Sequence, residues 1–190
     1  MAYEGKMKYF ILTSRDKNPF PQIINWSQTI DVRKLTRDEY QKMPPFIQLN
    51  AKLGMDGIFP DVIVKPFLLL SRPAMEVTAL YDSDIPFLFF ALFDTGKGEC
   101  ASYFCPVLEE EECLAGIPGP GQRGIILARS KMNGLPLFRV RIGMESATII
   151  RMDLAESLLE RKILGMELKE VHIADKSVSQ VSKIEKVQIR

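Results

Sequence analysis

Three cysteines, a single histidine and a few acidic clusters are the side chains of this sequence whose types could support chemistry. A thiol nucleophile must ionise and needs a base within hydrogen-bond reach. Cys100 and Cys105 fall on a segment with strand character, and their odd separation sends the side chains to opposite faces. Cys113 follows four glutamates, whose charge raises rather than lowers a thiol pKa. His172 lies on a late strand with no evident nucleophile beside it. A structural zinc site wants four Cys or His ligands, and these residues stand at unsuitable spacing. The expectation is no catalytic residue, no cofactor and no metal site. The competing reading is an unrecognised hydrolase or transferase that uses the acids near Asp82 to Asp94, or the thiols with the histidine.

Three further motifs carry a functional and a structural meaning each. Gly119, Gly121 and Gly124 satisfy GxGxxG, with Glu145 near the spacing of a ribose-binding acid. That fingerprint works only where a strand precedes the glycines and a helix N-terminus follows, so that backbone N–H groups face a pyrophosphate. Here prolines interrupt the glycines and residues 125–128 read as a strand, which makes the stretch a loop. Asp82 and Asp84, with Asp94 on a nearby turn, could hold a divalent cation, but Asx-rich loops end helices for backbone reasons alone. Glu109, Glu110, Glu111 and Glu112 form the sharpest charge feature. Adjacent acids repel one another and gain solvation, which suits an exposed loop. Their functional reading is an acidic patch that attracts a basic partner, and they are the candidate partner-binding residues.

The background composition narrows the classes. Twenty-five basic residues oppose twenty-four acidic ones, for a net charge of +1. Nucleic-acid binding rests on an excess or clustering of Lys and Arg, so no nucleic acid is expected. The most apolar window, residues 85–93, is far shorter than the ~20 residues of a membrane helix, so no membrane is expected either. An odd cysteine count without a CxxC pair, and no secretory pattern at the start, point to the cytoplasm. With 190 residues, 46% of them apolar, the chain reads as one domain, residues 1–190. Residues 1–6 read as a loose leader and 174–190 as a polar tail with a further strand at 184–189.

The elements that must position these groups follow from periodicity. Strands are expected at 8–13, 61–70, 86–93 and 100–108, the last two joined by a turn at 95–98. The run 86–93 reads as buried on both faces, and Pro66 marks an edge or bulge. A short helix at 37–42 rests on a Thr36/Glu39 capping box, while 45–60 shows weak pattern. Ser71 reads as the cap of a helix reaching Tyr81, with Ala74, Val77, Leu80 and Tyr81 inward. Asn133-Gly134 predicts a hairpin joining 125–129 to 135–142. A strand at 147–151 precedes a helix capped by Asp153, with Leu154, Ala155, Leu158 and Leu159 inward and Gly165 at its exit. A half-exposed strand at 166–173 closes the pattern. The order strand, cap, helix, strand occurs twice, which predicts two related units on a common sheet. The class is α+β: a mixed, mostly antiparallel sheet with two or three helices packed mainly on one side.

The segment DLAESLLERKILGMELKEVHI, residues 153–173, resembles the eleven-type immunity proteins of bacterial polymorphic toxin systems, formerly known only as a domain of unknown function. Those proteins end with an apolar strand, a Ser or Asp cap, a helix of the form xLAExLxxR, a glycine and a final strand. The likeness extends to MKYFILT at 7–13 and PDVIVKPFLLLS at 60–71, and so covers most of the chain. Asp153, Ala155, Glu156 and Gly165 carry the match as caps and packing residues, with no catalytic residue to transfer. The resemblance implies a non-catalytic protein that neutralises a cognate bacterial toxin by direct binding in the producing or sister cell. Such an inhibitor needs a complementary surface and a slow off-rate. A third reading is a structural or adaptor module, a homodimer joined through an exposed sheet edge.

Overall fold

Short alternating strands and two amphipathic helices set the architecture in the computed structural model, which describes residues 7–14, 21–55, 57–117 and 124–174. The chain begins with β1 (Tyr9–Thr13), β2 (Gln22–Ile23), the single-turn helix α1 (Trp26–Thr29) and β3 (Phe46–Lys52). β4 (Val62–Ile63) and β5 (Leu69–Leu70) lead into α2 (Arg72–Tyr81), followed by β6 (Phe87–Asp94) and β7 (Glu99–Pro106). Then come β8 (Leu114–Gly116), β9 (Ile126–Ala128), β10 (Leu137–Ile142), β11 (Glu145–Arg151), α3 (Met152–Glu160), β12 (Glu167–Glu170) and β13 (His172–Ala174). The fold is α+β, and most strand pairs are antiparallel; β3–β6 and β9–β13 are the parallel ladders. The leader at 1–6 and the strand at 184–189 lie outside the described residues.

The strands form three sheets rather than one. Their orders are β2-β3-β6-β7-β5-β4, β10-β11-β1-β12 and β13-β9-β8. The four-stranded sheet is central because both its faces are apolar. Leu12, Leu137 and Ile150 on one face pack with Ala74 and Val77 of α2 and Leu154, Ala155 and Leu158 of α3. Tyr9, Phe138, Val140 and Ile149 on the other pack with Ile125 and Leu127 of the three-stranded layer. A separate core joins Leu49, Phe90, Leu92 and Tyr103 of the six-stranded sheet to Ile23, Ile30 and Leu35. No helix of the described residues is long and apolar enough to cross a membrane.

The repeated strand–helix–strand pattern is present, but each copy builds a different sheet. β5 and β6 both pair antiparallel with β7, which lies between them. β11 and β12 likewise both pair antiparallel with the intervening β1. Each helix therefore crosses over one strand to connect two parallel neighbours, and α2 and α3 meet at the junction. There the Tyr81 hydroxyl lies 2.6 Å from Ser157 Oγ.

Several expected elements take another form. Residues 61–70 are two short strands paired as Val62↔Leu70 and Ile63↔Leu69, with the Lys65–Pro66 bond cis in the reversal; Pro66 offers no N–H for a continuous ladder. The 37–42 segment forms only a 3-10 turn at Tyr40–Lys42, because the Glu39 carboxylate pairs with Lys42 at 2.7 Å instead of closing a capping box, and two prolines follow. The weakly patterned stretch 45–60 contains β3, whose Ile47, Leu49 and Ala51 are buried in strict alternation. The Asn133-Gly134 hairpin does not form: β9 pairs with β8 and β13, while β10 turns at Gly143-Met144 into β11. The 166–173 strand divides at buried Val171, whose amide donates to Tyr9 O while the next amide, of His172, donates to Ile125 O.

Helix details differ in the same way. Ser71 caps α2 as expected, its Oγ accepting from the Ala74 amide at 3.4 Å. Leu80 is 78% exposed and Leu159 51% exposed, so neither faces the core; Thr78 takes the inner position and satisfies its hydroxyl on Ala74 O at 2.9 Å. Asp153 lies within the first turn of α3, not at its cap, since Arg151 holds both carboxylate oxygens at 2.8 Å. Asp61 fastens the region where these elements converge. Its Oδ1 accepts from Ser71 Oγ at 2.8 Å, its Oδ2 from the Leu164 amide at 2.9 Å, and its carbonyl from the Ser71 amide at 2.7 Å.

Candidate functional site

The residues singled out for acid or thiol chemistry do not converge. Cys105 is buried on β7, and burial pushes its thiol up to about 12. Cys113 is buried as well, and burial with the charge of Glu111 raises its thiol to about 11. Both stay protonated near neutrality, so neither is a ready nucleophile. Cys100 is exposed on β7, in register with Phe93. His172 is exposed on β13, and no described thiol or carboxylate hydrogen-bonds to its ring.

The carboxylates of Asp94 and Asp82 are committed to backbone groups. Asp94 is 4% exposed; its Oδ2 accepts from the Leu53 amide at 2.7 Å, and its Oδ1 from the Gly96 and Lys97 amides at 2.8 and 3.1 Å. The Leu53 hydrogen bond is the main reason its carboxyl is held below the ordinary range. Asp82 accepts from the Asp84 amide at 3.0 Å, an Asx turn ending α2. Among the described residues no group of three or more His, Cys, Asp or Glu side chains could hold a metal ion. Gly119 and Gly121 lie outside the described residues; Gly124 leads into β9 rather than a helix, so the stretch lacks the N-terminus a pyrophosphate requires.

The four glutamates behave otherwise than as a uniformly solvated loop. They run extended beside β10: the Arg139 amide donates to Glu109 O at 2.8 Å, and the Glu111 amide donates to Arg139 O at 2.9 Å. An extended backbone alternates its side chains, so Glu110 and Glu112 point outward while Glu111 and Cys113 turn in. Glu109 meets Arg37 at 3.5 Å and Glu110 meets Arg141 at 2.9 Å. Glu111 is 5% exposed; its Oε1 accepts from the Asn133 amide at 3.1 Å, and its Oε2 is buried without a hydrogen bond. Burial pushes its carboxyl up, opposed by the hydrogen bonds from Asn133 and reinforced by the charge of Glu109. Glu112 is exposed, and among the described residues it has no ion pair.

Together with Leu114 and Arg141, the three glutamates 110–112 line a groove of about 490 Å³. Beneath it, Arg139 clasps neighbouring segments, donating to Leu35 O at 2.7 Å and Leu108 O at 3.4 Å, and burial lowers its pKa. Arg37 donates to Asp84 O at 2.7 Å, tying the same loop to the end of α2. Sequence reading found the acids but missed these arginines. The alternation of Arg139 and Arg141 along LFRVRI was a signal for one basic strand face; Arg37 reaches its partners only through the fold. The chain matches no family model and no curated protein.

Proposed function

We propose that this chain is a non-catalytic binding protein: a bacterial immunity protein that neutralises a cognate toxin in the cytoplasm by direct contact. The observation that carries the reading is how the reactive side chains are used. Cys105 and Cys113 are buried and protonated, Asp94 is committed to three backbone amides, and the acidic run is held extended beside β10, with Glu110 and Glu112 outward. A charged surface fixed before encounter lowers the ordering cost of association and speeds it by attraction. The likeness of segments 7–13, 60–71 and 153–173 to the eleven-type immunity family supports the same reading.

The test is co-expression with the toxin domain encoded beside this gene in its native genome. Rescue of growth together with co-purification of a stable complex is the expected result. Undiminished toxicity with no complex overturns the proposal. Substrate turnover by the purified chain, abolished by changing one buried thiol or acid, favours the enzyme reading instead.

A further inference from the structure

We propose that the open face of β3, β6 and β7 is the docking surface for an acidic, apolar segment of the protein this chain binds. The inference rests on the binding-protein reading and assigns its apolar contact to a surface apart from the acidic run.

Strand register brings three rings together. Phe46, Phe89 and Phe104 are paired directly across the three strands. The Phe46 and Phe89 rings stack with centroids 5.6 Å apart and planes at 28°, and Phe89 meets Phe104 edge-on at 5.5 Å. Phe46 is 49% exposed, and Phe89 and Phe93 are half-buried, so β6 is not buried on both faces as its composition predicts. The face ends at α2, which packs against β5 and β7. There the Arg72 guanidinium stands 5.7 Å over the Phe104 ring. At the opposite border lies Ile24, 59% exposed, its amide donating to Asn50 O at 2.9 Å. A covering partner removes this apolar surface from water.

Charge and ring orientation select the occupant. Lys52 continues the outward alternation of β3; it and Arg72 are exposed, with no carboxylate partner among the described residues. Register sets these cations at diagonal corners of the face. The outward positions between them hold Gln48, Asn50, Ala91, Phe93, Cys100 and Ser102, none of them acidic. Two copies of the face would oppose cations with no acid to answer them, whereas a partner's carboxylates find Lys52 and Arg72. The side chains of Gln48, Asn50 and Ser102 have no hydrogen bond among the described residues, which leaves them to pair with a partner's backbone. Stacked nucleic-acid bases need open ring faces. Here Phe46 and Phe89 turn ring faces toward one another, and Arg72 covers that of Phe104. The ring edges left outward are the positive end of the aromatic quadrupole, which also favours carboxylate and carbonyl oxygens.

The test titrates the isotope-labelled full chain with the peptide acetyl-Asp-Leu-Glu-Phe-Asp-Leu-amide, followed by NMR. The same peptide with lysine at each acidic position, and a short oligothymidylate, serve as comparisons. Saturable shifts at Phe46, Phe89, Phe93 and Phe104, with binding about fivefold weaker for the lysine peptide, are the expected result. The acidic peptide should also slow thiol labelling of exposed Cys100, which is in register with Phe93. Phe46→Ser and Arg72→Glu change exposed side chains, and each is expected to weaken the acidic peptide about tenfold. No saturation, equal affinity for the two peptides, shifts centred elsewhere, or unchanged binding in both variants overturns the assignment. Oligothymidylate binding abolished by Phe46→Ser gives the face to nucleic acid, and a sedimenting dimer dissolved by the same change gives it to a second copy; either overturns it too. Because the probe is a synthetic peptide, its failure is distinct from a failed growth rescue on co-expression.

Discussion

Replacing Gly165 by alanine isolates the contact between the exit of α3 and β4. Gly165 has φ +105, a region that side-chain-bearing residues rarely adopt, and occupying it costs about 1–3 kcal/mol. A Cβ there would also meet the Val62 carbonyl oxygen well inside contact distance, and Pro60 Cβ at 2.8 Å. Val62 cannot retreat freely, because its amide donates to Leu164 O at 2.9 Å; stretching that bond removes about 1 kcal/mol. Adding overpacking of about 1–3 kcal/mol, the expected loss is roughly 3–7 kcal/mol in total. For a chain of this length each kcal/mol moves Tm by about 2–4 °C, so a loss near 5 kcal/mol should lower the melting point by about 10–20 °C. Gly98→Ala is the control: φ is +69, but nothing lies within 4 Å of the added Cβ, so only the backbone cost of about 1–2 kcal/mol applies. Thermal melts followed by circular dichroism compare the two. Equal losses for Gly165→Ala and Gly98→Ala would refute the close approach as a determinant of stability.

Four other outcomes are expected. Asp61→Ala strands the Leu164 amide and the Ser71 hydroxyl, and urea unfolding should show a loss of about 2–3 kcal/mol; a loss near zero means the carboxylate is dispensable. Leu154, fully buried in α3, should cost about 2–5 kcal/mol on truncation to alanine, whereas exposed Leu80→Ala should stay within about 0.5 kcal/mol in the same assay. Glu111 titrates higher in the folded chain than its ordinary 4.5, so the folded state holds the proton more tightly. Its contribution to stability is therefore greatest below 4.5 and declines as pH rises through the folded value. The groups acting on it are Glu109, Asn133 and Cys113, with Tyr9 facing it from β1. Subtracting Glu111→Gln stability from that of the parent across pH should reveal this decline, and a flat or rising difference contradicts it. A thiol reagent at pH 8 should label Cys100 promptly in the native chain and Cys105 and Cys113 only on unfolding; rapid labelling of all three refutes their burial.

Local rules made much of this molecule legible from sequence. Period-2 alternation and turn chemistry located β1, the β6–β7 hairpin and β11, while Ser71 and the 3.6-residue period located α2 and α3. β3 carried an equally regular alternation in Ile47, Leu49 and Ala51, overlooked because the prolines and glycines around it read as loop. Of the candidate site, the acidic run was readable, and so was the strand after Gly124, because Ile125 and Ile126 are β-branched.

What chain order alone left undecided is which strand pairs with which and which side chain finds a distant partner. Asn133-Gly134 has ideal hairpin chemistry, yet the Asn133 amide is taken by Glu111 and β10 pairs with β11 instead. The two strand–helix–strand units look alike locally, but their hydrogen bonds run to β7 in one case and β1 in the other, so they build separate sheets. Glu111 is indistinguishable from its three neighbours in composition; only its pairing beside β10 turns it inward and raises its pKa. Propensity and periodicity act over a few residues, whereas register, burial and ion pairing depend on groups brought together from far along the chain, and those the tertiary structure alone decides.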